Sequence, residues 1–459
     1  MTLLNSSDTR PVHFMGIAGA GMSALAQLLA YRGVAVSGCD SGSGSVEDVE
    51  RLGIRVERGH DPLHVEDCRA LVVTAAVPVD HPEVTAARQR GLPVVRRADA
   101  LAEVTSNGIL VAVAGTHGKT TTTAMTTEAL AAAGRDPTGL AGGRIAMWKG
   151  NVRPGRSDLN VVEADEYDRA FLSLKPHIAV VTNVEPEHLD IYGDEDGVRL
   201  AFEQFLRPAK RVVFCADDPG AASLTLPESA VTLPYGVHSE RARLTVGELS
   251  SVHGRPRGVV LLDGVELGEL SLRVPGVHNF DNALAALACG LLLGASFEEL
   301  RPGIEAFEGV ERRFQLLGTV RGIAVVDDYA HHPTEVRATL DAARAVFPGR
   351  RLVCAFQPHL YSRTRDFASE FGRALASADV VLLTEIYPAR EAPIPGVTSA
   401  LIEEALREQG RVPLWRGARE DVLEALGAVV QEGDVVLTLG AGDITLVGRE
   451  LLRRLALRQ

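Results

Sequence analysis

The chain has 459 residues, of which 46% are hydrophobic and 23% charged, and a formal net charge of −13; at about 150 residues per domain it can build about three cores. That acidic balance argues against a broad nucleic-acid or anionic-membrane surface. Five scattered cysteines (Cys39, Cys68, Cys215, Cys289, Cys354) without C-x-x-C spacing argue against a disulfide framework or a zinc site, so the expectation is a reduced, cytoplasmic enzyme that catches anions in local nests.

Residues Val12 to Tyr31 hold no Asp, Glu, Lys or Arg, yet His13, Gln27 and the glycines mark them as a strand, a glycine loop and a helix instead of a membrane span. Residues 1–106 continue in that alternation. Apolar runs at 13–16, 35–39, 70–74 and 93–95 are separated by helical patterns at 46–52 and 82–90, which predicts a doubly wound parallel sheet. Its first turn, Gly16-Ile-Ala-Gly19-Ala20-Gly21-Met22-Ser23, has Asp40 about twenty residues on. The glycine order is G-x-x-G-x-G, so the residues fit a dinucleotide or another nucleotide diphosphate equally well.

The middle block, 107–312, opens with an apolar run from Ile109 to Ala114, then Gly115-Thr116-His117-Gly118-Lys119-Thr120-Thr121 and a Thr-rich helix. Glycines let backbone N–H groups turn around an anion, the helix start adds partial positive charge, an ammonium reaches the outer phosphates and a hydroxyl can hold Mg²⁺. Lysine is scarce here: Lys119, Lys149, Lys175 and Lys210 are the four in the chain, against forty-three arginines, and one of them falls in this loop. Val113 stands where the general P-loop pattern has its first glycine, which makes this the shorter G-T-x-G-K-T form.

Further along the block, the run 159–163 ends in Glu163, followed by Asp165, Glu166 and Asp168; hard oxygens beside a phosphate loop suit Mg²⁺. The run 178–182 leads to Glu185, Glu187 and His188. Alternating patterns between 240 and 275 predict a small antiparallel meander before a helix at 279–294.

From 313 to 459 a third α/β block is expected, with strands at 323–327, 352–356, 380–384 and 435–439. Each is followed by polar residues: Asp327-Asp328-Tyr-Ala-His331-His332, Gln357-Pro-His359, Arg363 and Arg365, Glu385 with Arg390 and Glu391, and Gly440-Ala-Gly442-Asp443. Four strand ends of this kind outline one wall of a site.

Taken together, Gly115–Thr121, Glu163–Asp168 and Asp328–Pro333 resemble the Mur ligase family, ATP-dependent enzymes that add amino acids to a UDP-linked peptidoglycan precursor, and the resemblance spans essentially the whole chain. It implies three domains: a Rossmann-like one (1–106) holding UDP, a central P-loop ATPase-like α/β domain with a small antiparallel sheet (107–312), and a C-terminal Rossmann-like α/β domain (313–459) taking the amino acid. The opening H-F-M-G-I-A-G-A-G-M-S, the Gln-Pro-His triplet at 357–359 and Ser362-Arg363-Thr-Arg365 are similar to the branch that joins L-alanine to UDP-N-acetylmuramate. A sibling adding another amino acid, or a recycling ligase attaching a peptide to the same sugar, is the alternative.

By that resemblance Gly16, Gly19, Ala20, Gly21, Met22, Ser23 and Asp40 hold the UDP substrate, and Gly115 to Thr121 with Asn279, Asn282, Arg313 and Asp328 hold ATP. Thr120, Glu163 and His188 would take Mg²⁺; Lys119, Glu163, His188, His331 and Arg313 would be catalytic; His331, Arg363 and Arg390 would contact L-alanine. Arg312 and Asp327 compete with their neighbours Arg313 and Asp328 for the nucleotide. Two departures are notable: Leu360 stands where many relatives have a basic residue, and no lysine lies between His188 and Lys210 where several siblings carry a carbamoylated one. Glu203 is the positional candidate to replace it.

The implied reaction activates the lactyl carboxylate with ATP as an acyl phosphate, then forms the amide, with hinge closure near 312–320 excluding water. No nucleic acid or membrane partner is expected, and a monomer or weak homodimer is. A nicotinamide oxidoreductase built on Gly16–Gly21 would leave Lys119, Glu163 and His188 unexplained; a nucleotide-gated binding protein would bind ATP without alanine-dependent phosphate release.

Overall fold

The computed structural model describes residues 3–5, 7–42, 44–389 and 391–457. Arg390 lies outside the described residues. The chain divides into two compact units, one of Met1–Leu249, Gly258–Leu270 and Asn279–Glu308, the other of Ser250–Arg257, Ser271–His278 and Gly309–Gln459. Among the described residues no helix is long and apolar enough to cross a membrane.

The first unit holds two sheets. One has five parallel strands in the order Arg55–Arg58, Val36–Asp40, Val12–Met15, Ala70–Val73, Val94–Arg96. The order reverses at Val12–Met15, so the turn after that strand opens onto the crevice where such sheets take ligands. Val12–Met15 and Ala70–Val73 are buried along their whole length, as strands covered on both faces must be. The helix after the turn spans Ala20–Tyr31.

The second sheet runs from Leu244–Val246 through Val231–Tyr235, Arg211–Cys215, Ile178–Val181, Ile109–Ala114 and Leu159–Glu163 to Thr138–Ile145 and Gly150–Arg153. The strands Arg255–Leu262 and Val265–Ser271 join at the Leu244–Val246 end as the small antiparallel part expected from their alternation. The pair Thr138–Ile145 and Gly150–Arg153 is antiparallel and has no such alternation in the sequence.

These two sheets share a core. Helix Ala20–Tyr31 packs on Thr138–Ile145 and Gly150–Arg153, and one buried cluster includes Phe14, Leu28 and Val72 together with Ala112, Val152, Phe171 and Phe202. Arg32 crosses the same seam, donating to Asn160 Oδ1 at 2.9 Å and to the Val104 carbonyl.

The second unit contains a six-stranded sheet ordered Gln315–Val320, Ile323–Asp328, Val435–Leu439, Leu352–Phe356, Val380–Thr384, Trp415–Gly417. Gln315–Val320 is antiparallel to its neighbour, a feature the sequence reading did not anticipate. Its cause is local: Arg321 and Gly322, with φ of 52° and 74°, close a two-residue hairpin, and a connection that short cannot bring the chain back parallel.

Candidate active site

The apolar strand Ile109–Ala114 delivers the chain to Gly115, and helix Lys119–Ala132 leaves from Gly118. Gly118 has φ +80°, and a Cβ there would sit 2.6 Å from Asn282 Oδ1; glycine is required by both conformation and contact. The loop is pinned from the next strand end: Thr182 Oγ1 donates to the His117 carbonyl at 2.5 Å, His117 N–H donates to Asn183 Oδ1 at 2.7 Å, and Glu185 N–H donates to Thr116 Oγ1 at 2.9 Å. His117 Nε2 is also 3.6 Å from Glu185 Oε2. Thr120 is buried in the first turn of the helix, followed by Thr121.

Lys119 Nζ donates to the carbonyls of Gly115 and Thr116, at 2.5 and 3.1 Å, and to Glu166 Oε1 at 2.9 Å. Burial alone would lower the ammonium's pKa, but Glu166, Asp165 and Glu163 together hold it above its ordinary value. Burial pushes the Glu166 carboxyl up, against the opposing pull of Lys119. The turn carrying Glu166 is unusual: Asp168 and Arg169 have φ of 53° and 56°, and the Tyr192 hydroxyl donates to the Glu166 carbonyl. Glu163, at the end of its strand, accepts the Gly142 N–H at 2.5 Å.

Glu166, Glu187 and His188 bring three potential ligand atoms within 4.8 Å of one another. His188 Nε2 lies 4.0 Å from Glu166 Oε1 and 3.9 Å from Glu187 Oε2, and its backbone is left-handed at φ +56°. Glu166 Oε2 is buried without a hydrogen-bond partner. A hard divalent cation fits such a place, because an orphaned buried carboxylate oxygen is costly until paired. Glu203 is committed elsewhere: it accepts from Arg199 Nη1 at 2.9 Å and from Thr225 N–H at 3.0 Å, and is not one of the three grouped donors.

Asn279 and Asn282 begin the buried helix Val277–Leu292. Asn282 Nδ2 donates to Asn279 Oδ1 at 3.1 Å, and Thr122 Oγ1 donates to Asn282 Oδ1 at 2.9 Å, which sets both asparagines against the phosphate loop and its helix.

At the other turn, Gly19 precedes the helix that begins with Ala20, Gly21, Met22 and Ser23. Asp40 holds this turn from within: Oδ2 accepts the Ala18 N–H at 2.9 Å and Oδ1 accepts the Gly42 N–H at 2.7 Å. A Cβ on Gly21 would meet Arg97 Nη1 at 2.6 Å, so the guanidinium lies over the start of the helix. The same guanidinium donates to Asp165 Oδ2 at 3.0 Å. One arginine therefore ties the first glycine turn to the acidic turn beside Lys119.

In the second unit the two ambiguous neighbours separate. Asp327 is fully buried, accepting from Thr438 Oγ1 at 2.7 Å and Thr445 Oγ1 at 2.8 Å with Arg312 Nε 3.4 Å away; Arg312 Nη2 also donates to the Gly440 carbonyl at 2.8 Å. Arg313 instead pairs with Glu335 at 3.0 Å, and both guanidinium groups lie over the Tyr329 ring. Asp328 accepts the N–H groups of Phe314 and Ala330, at 2.8 and 2.7 Å, and the Thr339 hydroxyl at 3.1 Å. Burial raises its pKa to about 6, against the pull of Arg313. His331 Nδ1 is 3.1 Å from Glu335 Oε2, its ring meets that of His359 edge-on at 5.7 Å, and His359 stacks on Tyr387. Buried Arg363 reaches His359 Nδ1 at 3.3 Å. Leu360 precedes helix Tyr361–Asp366 at φ +71°.

Glu166 as the partner of Lys119, Arg97 as the link between turns, and Glu335 under His331 and Arg313 had no role in the sequence reading. Glu166 lay inside an acidic run already suspected of holding a metal; Arg97 and Glu335 carry no motif.

Three family models cover the chain: "Mur ligase family, catalytic domain" at residues 11–108, "Mur ligase middle domain" at 113–290 and "Mur ligase, glutamate ligase domain" at 312–442. The chain is 46% identical over 443 residues to the UDP-N-acetylmuramate--L-alanine ligase of Acidothermus cellulolyticus, covering 95% of this chain and 93% of that one. It is 47% identical to the enzyme of the same name from Kineococcus radiotolerans, covering 97% and 96%. Among solved structures it is similar to the UDP-N-acetylmuramate-alanine ligase of Thermotoga maritima, with TM-score 0.82, 31% identity and coverage of 98% and 100%.

Proposed function

This chain belongs to the Mur ligase family, and from that membership we propose that it joins L-alanine to the lactyl carboxylate of UDP-N-acetylmuramate, with ATP cleavage, in peptidoglycan precursor synthesis. Mur ligases are ATP-dependent, and this chain is an enzyme of that kind. The observation that supports the reading best is Arg97, whose guanidinium spans from Gly21 to Asp165: two phosphate-binding turns on one core suit a reaction in which a UDP-borne acid meets a nucleotide triphosphate.

The three-part division serves that chemistry, with residues 1–106 for the UDP sugar, 107–312 for ATP and 313–459 for the amino acid. The lactyl carboxylate attacks the γ-phosphorus, giving an acyl phosphate and ADP. Both reactants are anions, so Lys119, fixed by two carbonyls and Glu166, neutralises charge on the phosphoryl group in flight. The glycine loop Gly115 to Gly118 and the start of helix Lys119–Ala132 take the phosphates, and Asn279 and Asn282 face the adenine. Thr120, Glu163 and His188, with Glu166 and Glu187 close to His188, would hold Mg²⁺. When bound, Mg²⁺ supplies charge neutralisation between carboxylate and triphosphate.

The neutral amine of alanine then attacks the acyl carbonyl, forming the C–N bond as phosphate leaves. Arg363 and the His331–His359 pair hold the amino acid, and His331, backed by Glu335, takes the ammonium proton. Arg313 contacts the nucleotide. The enzyme works in the cytoplasm as a monomer or weak homodimer. The test is phosphate release from ATP with UDP-N-acetylmuramate and a panel of amino acids: release with L-alanine and not with D-glutamate or a tripeptide is expected, and release independent of any amino acid would overturn the reading.

A further inference from the structure

A second cluster of chemistry-bearing side chains lies under the first glycine turn, on residues that the ligase reaction does not use. In the parallel register His13 pairs with Ser37 and Met15 with Cys39, so the period of two puts His13 and Cys39 on one face of the five-stranded sheet. Helix Pro82–Gln89 covers that face through Val84, Ala86 and Ala87, bringing Glu83 from its first turn. The one-turn helix Pro62–Val65 adds His64, with His60 just before it. His13, Cys39, His64 and Glu83 each offer a ligand atom within 4.8 Å of the other three.

We propose that His13, Cys39, His64 and Glu83 form a binding site for zinc, through one thiolate, two imidazoles and one carboxylate, buried between this sheet and helix Pro82–Gln89. Zinc bonds of about 2.3 Å to sulfur and about 2.0–2.1 Å to nitrogen or oxygen place tetrahedral donors about 3.3–3.6 Å apart. Cys39 Sγ is 3.4 Å from each Glu83 oxygen. His64 Nδ1 is 2.7 Å from Glu83 Oε1, a hydrogen bond that lengthens when a cation enters and both atoms turn their lone pairs to it.

Two further observations point to a cation site. His13 is 1% exposed, its Nδ1 is 2.9 Å from Ser37 Oγ, and its Nε2 is buried with no partner; a ring nitrogen left over while the other is anchored is how a metal-bound imidazole is held. Glu83 is completely buried. Its neighbours are the His64 and His60 rings, the Asp61 N–H and the Cys39 thiol, none of them a permanent cation, whereas a buried carboxylate ordinarily has one.

His60 completes the picture. Its Nδ1 is 3.2 Å from Cys39 Sγ and 3.5 Å from Glu83 Oε2, and its side chain is 24% exposed, which places it between solvent and site as the group that hands the ion in. Loading forms the metal–sulfur bond and releases the thiol proton to solvent. The single cysteine and the 70-residue spread of the donors, from His13 to Glu83, explain why the cysteine spacing argued against zinc: topology, not chain proximity, gathers the ligands. The preference for zinc over Mg²⁺ follows from the sulfur and nitrogen donors.

The experiment strips the full-length chain with a chelator and reloads it with cobalt(II), then zinc. Thiolate-to-metal charge-transfer absorption equivalent to one cobalt per chain is expected, unchanged in Glu166→Gln and lost in Cys39→Ser. X-ray absorption of the zinc-loaded wild type reads the shell directly and does not depend on the variant folding: one sulfur among nitrogen and oxygen neighbours is expected. Absence of charge transfer, its survival in a folded Cys39→Ser, or a shell of nitrogen and oxygen alone would overturn the site and leave a metal-free hydrogen-bonded cluster.

Discussion

Lys119 Nζ stands 2.9 Å from Glu166 Oε1, with the two side chains only 14% and 6% exposed. The carboxylate holds the ammonium in the glycine loop, and under the proposed reaction the phosphates of ATP would compete with it for the same protons. The charge proposed to serve catalysis is thus one the fold already has to satisfy.

Under the proposed reaction, replacing Lys119 by alanine removes the cation that neutralises the transferring phosphoryl group, and about a 10³-fold fall in kcat/KM is expected. Lys119→Arg fails to rescue it, because a planar guanidinium does not fit where an ammonium is held by the Gly115 and Thr116 carbonyls at 2.5 and 3.1 Å. Alanine-dependent phosphate release measures both.

Stability separates from activity at the same pair. Lys119→Met leaves Glu166 buried and uncompensated, a loss on the order of 3–5 kcal/mol, and adding Glu166→Gln restores most of it without restoring turnover. Urea unfolding of the two variants is the check; equal stability of the single and double variants would contradict it.

Gly118→Ala meets two obstacles, a left-handed φ of +80° and the Asn282 oxygen 2.6 Å from the new Cβ. The expected cost is about 1–3 kcal/mol in stability, with at least a tenfold rise in the KM for ATP. Asn282→Ala in the Gly118→Ala background relieves the contact and not the backbone strain, so it recovers part of the melting temperature and none of the nucleotide affinity, which calorimetric titration with ATP resolves.

Arg97 bridges Gly21 and Asp165, and Arg97→Ala is expected to raise the KM for the UDP substrate about tenfold through the loss of a charge-assisted contact. The KM for L-alanine stays within about twofold. Steady-state kinetics with each substrate varied in turn tests the split.

Asp328 supplies a pH signature. Its folded-state pKa is raised from 3.8 to about 6, chiefly by burial. Between those values the unfolded chain ionises the group while the folded chain keeps the proton. Its contribution is therefore fully present below pH 3.8 and is lost as pH rises through about 6. Asp328→Asn has no such loss, so the unfolding free energy of the variant gains on that of the wild type by about 3 kcal/mol across this window. Denaturant melts at several pH values give the difference directly.

Much of the frame was legible in the chain, for identifiable reasons. Ile109–Ala114, Val380–Thr384 and Val435–Leu439 are apolar runs bounded by glycine or polar residues, and they are strands in the structure because buried parallel strands need little else. The edge strand Gln315–Val320 and the glycine-rich hairpin Thr138–Ile145 with Gly150–Arg153 escaped, since neither shows a regular apolar period. In the site, the phosphate loop announces itself by local chemistry. The partners that hold it do not: Glu166 is 47 residues from Lys119 and Arg97 is 68 from Asp165, and no periodicity reports contacts at such separations.

The seam where helix Ala20–Tyr31 lies on Thr138–Ile145 and Gly150–Arg153 bears on ligand discovery. A fragment ending at residue 106, the obvious target for compounds aimed at the proposed sugar-nucleotide site, would strip the cover from the helix face that meets those two strands and turn an interior face into an adhesive one. Screening such a piece would reward molecules that stick to the wound. The smallest piece worth assaying has to carry both sheets.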